Sequence, residues 1–411
     1  MYDVYEIRKQ FPMLDGTKKM QGKPLVYLDN CSTTFKPKCV IDAITRYYTD
    51  MTANSHRGDY DLLYNMDVAV SEARKTVAKF INSEDKEVVF TSGDTMSLNL
   101  IAWGYAHKVL KKGDEIILSE QEHASNAIPW FEIANYTGAT VKFVEVTKDG
   151  DITPDNLRKI ISNKTKIVAL ANVSNVIGYE IDIKELTKIA HEFGAIVVVD
   201  GAQSVPHIKM DFKDLDIDFL TFSAHKLCGP TGIGALVGKY ELLEFMDPFL
   251  VGGGMNISFN KDMTMEALPA PAKFEAGTQN LAGILGFKAA IEFIESIGLD
   301  NIHKHDVELI EYAKEELRKS GKVIIYNEKS RGGILTFNVK GIFAQDEATL
   351  LNSKGIAIRS GQHCAKMIDD LIGTKATCRM STYLYTTKEE IDAFIDAVIN
   401  GGDILDAYFS N

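Results

Sequence analysis

The sequence predicts an α/β fold: a large domain with a mostly parallel seven-stranded sheet, then a smaller α+β C-terminal domain. Three observations carry this. Short runs rich in Val and Ile recur from residue 87 to residue 238 without polar alternation, which suits a sheet covered on both faces. Helical spacing alternates with these runs. After about residue 280 the order changes to two long helices followed by mixed strands and helices.

In chain order, residues 1–20 are expected to pack on the smaller domain. VAVSEARKTVAKFI (Val68–Ile81) has the spacing of an amphipathic helix. EVVF (Glu87–Phe90) is the first strand; EIILSE, VKFVEV, KIVALANVS, AIVVVD, FLTFSA and ALVG follow. Between KIVALANVS and AIVVVD, Leu186, Ile189, Ala190 and Phe193 share one helix face. A long helix spans about Leu281–Ile297, and VELIEYAKEELRK supplies another. Then come the strand GGILTFNV, a helix near Asp346–Asn352 and the strand IAIRS. The last helix opens on a capping box, Thr387 with Glu390. The expected division is 1–20, 21–285 and 286–411.

Bulk properties narrow the function. A chain of 411 residues exceeds one ordinary core. The net charge of −12 argues against a nucleic-acid surface. No apolar stretch approaches a membrane span. MYDVYEIRKQFPML carries charges where an export signal needs an apolar core. An odd count of five cysteines without a CxxC pair predicts reduced thiols, a cytoplasmic setting and no metal site.

In doubly wound sheets ligands gather at the carboxyl ends of strands, so the residues just after each strand matter most. After EVVF comes Thr91-Ser92-Gly93-Asp94-Thr95, small residues opening a helix, which suits a phosphate. After EIILSE comes His123, after KIVALANVS Asn175, and at the end of AIVVVD stand Asp200 and Gln203. After FLTFS come His225 and Lys226. Taken singly, each has an ordinary explanation as a cap or a satisfied polar group. Together they match one ligand, pyridoxal phosphate. Its phosphate wants a helix N-terminus, its ring nitrogen a carboxylate, and its aldehyde a lysine amine. That also explains why a lysine stands at the lip of a buried strand, where a free ammonium is costly. Gly229, Gly232 and Gly234 are expected to let the chain turn beside the ring.

The order NVSNVIG, VVVDGAQSVPH, FSAHKLCGPTGIG and FEAGTQN resembles the class V aminotransferase group of fold-type I pyridoxal-phosphate enzymes. RSGQHCA (Arg359–Ala365) and RMSTYLYTTKEEID (Arg379–Asp392), with YLDNCSTTFKP and SHRGDY near the start, resemble the SufS-type, group II cysteine desulfurases. The resemblance covers nearly the whole chain. It implies Lys226 as the Schiff-base lysine, Asp200 at the pyridine nitrogen, Gln203 at the ring oxygen and His123 stacked on the ring, where it would also move protons. It implies Asn175 near the ring oxygen or substrate carboxylate. Thr95, the backbone at Asp94, Ser223 and His225 would hold the phosphate. Thr278 would reach the phosphate of a neighbouring subunit, which implies a homodimer with shared sites. Arg379, helped by Arg359, would grip the carboxylate of L-cysteine. Cys364 would take the sulfur as a persulfide, leaving alanine, with Arg359 and His363 as candidate cations beside the thiolate. A SufU- or SufE-like acceptor would then carry the sulfur toward iron–sulfur clusters or another thio-cofactor. The family's usual residues are replaced at Cys31-Ser32, Asp59–Leu63, Asp94, Gln362 and Thr386. Selenocysteine lyase and cystine or cysteine C–S lyase are the alternatives within the family. A cofactor-binding regulator without turnover is the alternative outside it.

Overall fold

The computed structural model describes residues 2–55 and 59–402. The SHRGDY motif thus falls partly outside the described residues, at His56, Arg57 and Gly58.

Seven strands build the central sheet: β1 (Val88–Thr91), β2 (Glu115–Ser119), β3 (Thr140–Val144), β4 (Thr165–Ala171), β5 (Ile196–Asp200), β6 (Phe219–Ser223) and β7 (Gly234–Gly238). Their order is β1-β7-β6-β5-β4-β2-β3. Only β7 runs against the rest, pairing antiparallel with β1 and β6. This is the mostly parallel sheet the apolar runs predict. Both faces are covered: Val197 and Val199 of β5 join one buried cluster, and Val198 between them joins the other.

The turn from β6 to β7 is held close by glycine. A side chain at Gly234 would start 2.5 Å from the Phe222 carbonyl oxygen, and one at Gly229 2.8 Å from the Ala224 carbonyl oxygen. These glycines therefore serve close packing of the chain: Gly229 against Ala224, and Gly234 against the backbone of Phe222 and Gly93.

A second sheet holds β8 (Val323–Ile325), β9 (Ile334–Val339), β10 (Arg359–Gly361) and β11 (Thr377–Ser381), in the order β8-β9-β11-β10, all antiparallel. Helices Leu299–Ser320, Ala344–Ser353 and Lys388–Asn400 bury it. The capping box at Thr387 and Glu390 forms as expected.

Three details differ from the sequence reading. The helix expected from Val68 begins at Asp61; Leu63, Met66 and Val70 are its buried face, and the exposed Leu62 and Tyr64 beside them blur that stripe in the sequence. IAIRS divides: Ile356–Ala357 pairs in parallel with Val26–Tyr27, and Arg359–Gly361 joins the antiparallel sheet. The helix Leu281–Ile297 runs unbroken through residue 285 and packs on helices Lys38–Asp50 and Asp61–Phe80. At the N-terminus, Arg8 makes a two-pronged pair with Glu390 at 2.9 and 3.0 Å. Contacts to the second sheet continue past residue 20, since Leu28 is buried in its core. We propose that residues 29–298 form the larger unit and that 2–28 join 299–402 in the smaller one. No helix among the described residues is long and apolar enough to cross a membrane.

The smaller unit contains one unfavourable carboxylate. Glu347 is 1 % exposed and neither carboxyl oxygen has a hydrogen-bond partner. Burial pushes its pKa up to about 7. A carboxyl raised in the folded state gives stability that is full below the ordinary carboxylate range and lost as pH climbs toward 7. The loss is about 3 kcal/mol once both states are ionised. Glu347→Gln is expected to unfold at a temperature several degrees above the parent at about pH 8, with the gap closing near pH 5. Thermal melts of the cofactor-free protein at the two pH values check this; equal melting points at pH 8 would refute it.

Candidate active site

Parallel strands place their carboxyl ends on one edge, and a cavity of about 180 Å³ opens there. Its wall includes Asp94 and Thr95 after β1, His123 after β2, Asn175 after β4, Asp200 and Gln203 at the end of β5, and Ser223, His225 and Lys226 after β6. Arg359 and Arg379 close it from the second sheet. Eleven of the thirteen expected site residues thus share one cavity. Cys364 and Thr278 do not line it; both are exposed.

Asp200 sits mid-sheet, between Ala171 of β4 and Thr221 of β6, and its Oδ1 accepts the Ala202 N–H at 2.9 Å. Gln203 Nε2 donates to the Cys31 carbonyl at 3.0 Å, tying the loop before the first long helix to the cavity. Burial pulls the Lys226 amine below its usual range, against the opposing pull of Asp200 and Asp94. A lowered amine is more often neutral and so nucleophilic.

His123 Nδ1 accepts the Ser125 N–H at 3.1 Å, so Nε2 carries the proton of the neutral ring. Burial, then Lys226, lowers its pKa. Beneath it lies a network that sequence reasoning missed. Glu122, 1 % exposed, accepts from Ser119 Oγ at 2.5 Å, Asn126 Nδ2 at 2.7 Å and Ala171 N at 2.9 Å. Burial pushes its carboxyl up to about 8. The signal was present: like Asp200, this carboxylate follows an apolar strand and needs partners.

In the loop after β1, Gly93 has φ +144° and Ser223 Oγ stands 3.1 Å from where a β-carbon would lie. That permits the Asp94 N–H to donate to Ser223 Oγ at 2.8 Å. Thr95 Oγ1 lies 2.8 Å from Ser125 Oγ. His225 is pushed down to about 4, chiefly by burial.

Arg359 and Arg379 face each other directly across the β10–β11 ladder. Like charges in that position destabilise a sheet. One carboxylate answers them, Asp29, at 3.3 Å from Arg379. Ser32 Oγ accepts from Arg359 at 2.8 Å and from Arg379 at 3.1 Å. Arg379 is 2 % exposed, donates to the Asn175 carbonyl at 2.8 Å and leaves Nε unpartnered. A carboxylate ligand would supply the missing charge. Asp29 and Ser32 had no assigned role in the sequence, although Asp29 ends the YLD run as Asp200 ends VVVD.

The cysteine loop is unusual in its backbone. His363 and Cys364 have φ of +51° and +60°, a region that costs most side chains about 1–2 kcal/mol. Two hydrogen bonds hold it there: Ala124 N donates to the Cys364 carbonyl at 2.8 Å, and Asn175 Nδ2 to the His363 carbonyl at 2.8 Å. Arg359 stands 3.9 Å from Cys364 Sγ. His363 does not serve as the second cation. Burial, then Arg379 and Arg359, push it down to about 3, and its Nε2 faces Thr377. Gln362 binds Asp369 at 2.7 Å and Thr386 Oγ1 accepts the Tyr383 N–H at 3.0 Å, so both staple local loops. Cys31 is buried on the cavity wall.

Unpartnered polar atoms at Asp94 Oδ1, Asn175 Oδ1, Arg379 Nε and His363 Nδ1 all belong to residues of this cavity. A buried guanidinium nitrogen and amide and carboxyl oxygens left without partners around one lysine suit pyridoxal phosphate with an amino-acid carboxylate beside it.

The model of the class-V aminotransferase family matches residues 26–394. A probable cysteine desulfurase of Halalkalibacterium halodurans is 45 % identical over 394 residues, covering 95 % of this chain and 96 % of the relative. A cysteine desulfurase of Haloferax volcanii is 40 % identical over 96 % of both chains. The solved cysteine desulfurase of Thermococcus onnurineus superposes with a TM-score of 0.92 at 35 % identity, over 98 % of this chain and 99 % of that one.

Proposed function

We infer the roles of the site residues from one premise: the chain belongs to the class-V aminotransferase family and is a pyridoxal-phosphate-dependent cysteine desulfurase. When bound, the cofactor supplies an electron sink for charge developing at the substrate α-carbon.

Lys226 would supply the amine for the cofactor's aldehyde, and its Nζ, when free, would hold the proton removed from the substrate. Asp200 would keep the ring nitrogen protonated, Gln203 would meet the ring oxygen and His123 would cover the ring. Thr95, Ser223, His225 and the backbone at Asp94 would hold the phosphate at the helix N-terminus. Arg379 and Arg359 bind the carboxylate of L-cysteine, with Asn175 fixing Arg379 through its carbonyl.

Cys364 then attacks the substrate sulfur. The carbon–sulfur bond breaks, a sulfur–sulfur bond forms on Cys364, and L-alanine leaves with the hydrogen the thiol gave up. The observation that supports this most directly is Arg359, which spans from Ser32 on the cavity wall to the exposed Cys364 sulfur. An exposed thiol beside an arginine that also reaches the cavity wall has a cation to pair with anionic sulfur, which supports this role.

Within the family we favour the SufS type, on the RSGQHCA segment. Its exposed cysteine suits a SufU- or SufE-like acceptor that passes sulfur to iron–sulfur clusters or another thio-cofactor. The enzyme is read as a cytoplasmic homodimer with shared sites. The position of Thr278, exposed and away from its own cavity, suits a contact with the partner's phosphate.

A single-turnover reaction with L-cysteine, without reductant, tests the assignment. Alanine and one added sulfur on the peptide containing Cys364 are expected. Pyruvate with ammonia, and no added sulfur, would favour a C–S lyase instead.

A further inference from the structure

Asp94 opens the helix expected to receive the phosphate, a place where a carboxylate repels the ligand. Its side chain is 7 % exposed, faces the cavity wall and leaves Oδ1 without a partner. Asp200, 4 % exposed, lines the same cavity. The cation that bears on both is Lys226, and the cofactor consumes that amine. Two carboxylates on the wall would then face the phosphate across a cavity of about 180 Å³. Three anions at such separations, shielded from water, do not all stay charged. Asp200 has to be ionised to keep a proton on the ring nitrogen. The proton therefore goes to the other carboxyl.

We propose that Asp94 stands in the loaded enzyme as a neutral carboxylic acid, a hydrogen-bond donor at the phosphate end of the cavity, its protonation completed as pyridoxal phosphate binds. This rests on the placement of phosphate and ring nitrogen given above. Burial and Asp200 already push the Asp94 carboxyl up to about 8 before any phosphate arrives. Its own helix carries no other titratable group. The groups around it are Asp200 from β5, His225 and Lys226 after β6, His123 after β2, Cys31, and Arg359 and Arg379 from the second sheet. Both histidines are pushed toward the neutral form, chiefly by burial, and the charges that bear on Asp94 are those of Asp200 and Lys226.

The test is cofactor binding. Calorimetry of the cofactor-free enzyme with pyridoxal phosphate at about pH 8 and about pH 9, in buffers of different ionisation enthalpy, counts protons taken up. Dissociation constants from pH 7 to 9 give the slope. The parent should take up about half a proton more than Asp94→Asn and Asp94→Thr at about pH 8, where its carboxyl is already about half protonated, and close to one more at about pH 9. Its affinity should fall more steeply, up to roughly tenfold per pH unit above about pH 8. Equal proton counts and parallel slopes in parent and either folded variant would overturn the proposal. Asp200→Asn separates this from failure of the underlying placement. If that change leaves affinity and the visible band of the bound cofactor untouched, the ring nitrogen is elsewhere and the proposal falls with it.

Discussion

Lys226→Ala is expected to lower desulfuration by more than roughly 10³-fold, since loss of proton transfer alone costs roughly 10²–10⁴. The change removes both the covalent anchor and the proton carrier. Cofactor retained by the variant should lack the visible absorbance of cofactor bound to a protein amine. The burial that lowers the Lys226 pKa also makes the substitution mild for folding, because a buried amine gives way to a small apolar side chain. A normal melting point with lost turnover therefore points to chemistry. Turnover at the parent rate would remove Lys226 from the reaction.

Cys364→Ala is expected to reduce sulfur release from cysteine by at least about 100-fold while substrate still binds and perturbs the cofactor spectrum. The two variants separate the cofactor step from the sulfur step. Cys364 touches its surroundings through its main chain and Arg359, so the loop should survive the change. Spectral titration with L-cysteine and alanine quantification read the two halves independently. Unchanged alanine formation would show that the sulfur leaves without this thiol, as a selenocysteine or cystine C–S lyase would allow.

Much of this site was legible before any coordinates because of one physical rule. An apolar strand that ends in Asp200, His123 or Lys226 has to find each of them a partner, and parallel strands deliver those ends to one edge. What stayed hidden depends on register. Arg359 and Arg379 are twenty residues apart in sequence, and nothing in either segment says that they stand opposite each other. Asp29 and Ser32 are joined to them only through contacts spanning more than three hundred residues. The early start of the helix Asp61–Phe80 was missed because the exposed Leu62 and Tyr64 blur the buried stripe of Leu63, Met66 and Val70. His363 looked like a cation by residue type; burial beside two arginines makes it neutral.

The anchoring of the cysteine loop has a consequence for repeated turnover. Its two fastenings to the larger unit are carbonyl oxygens of His363 and Cys364, held by Asn175 and the Ala124 N–H. A tether made of main chain is blind to the oxidation state of the sulfur it carries. Thiol and persulfide leave the same fastenings in place, so the loop need not be rebuilt between loading and delivery. On the role proposed for Cys364, rotation about its side chain alone would turn the sulfur toward solvent, and an acceptor would meet the same main-chain geometry whether the arm is full or empty.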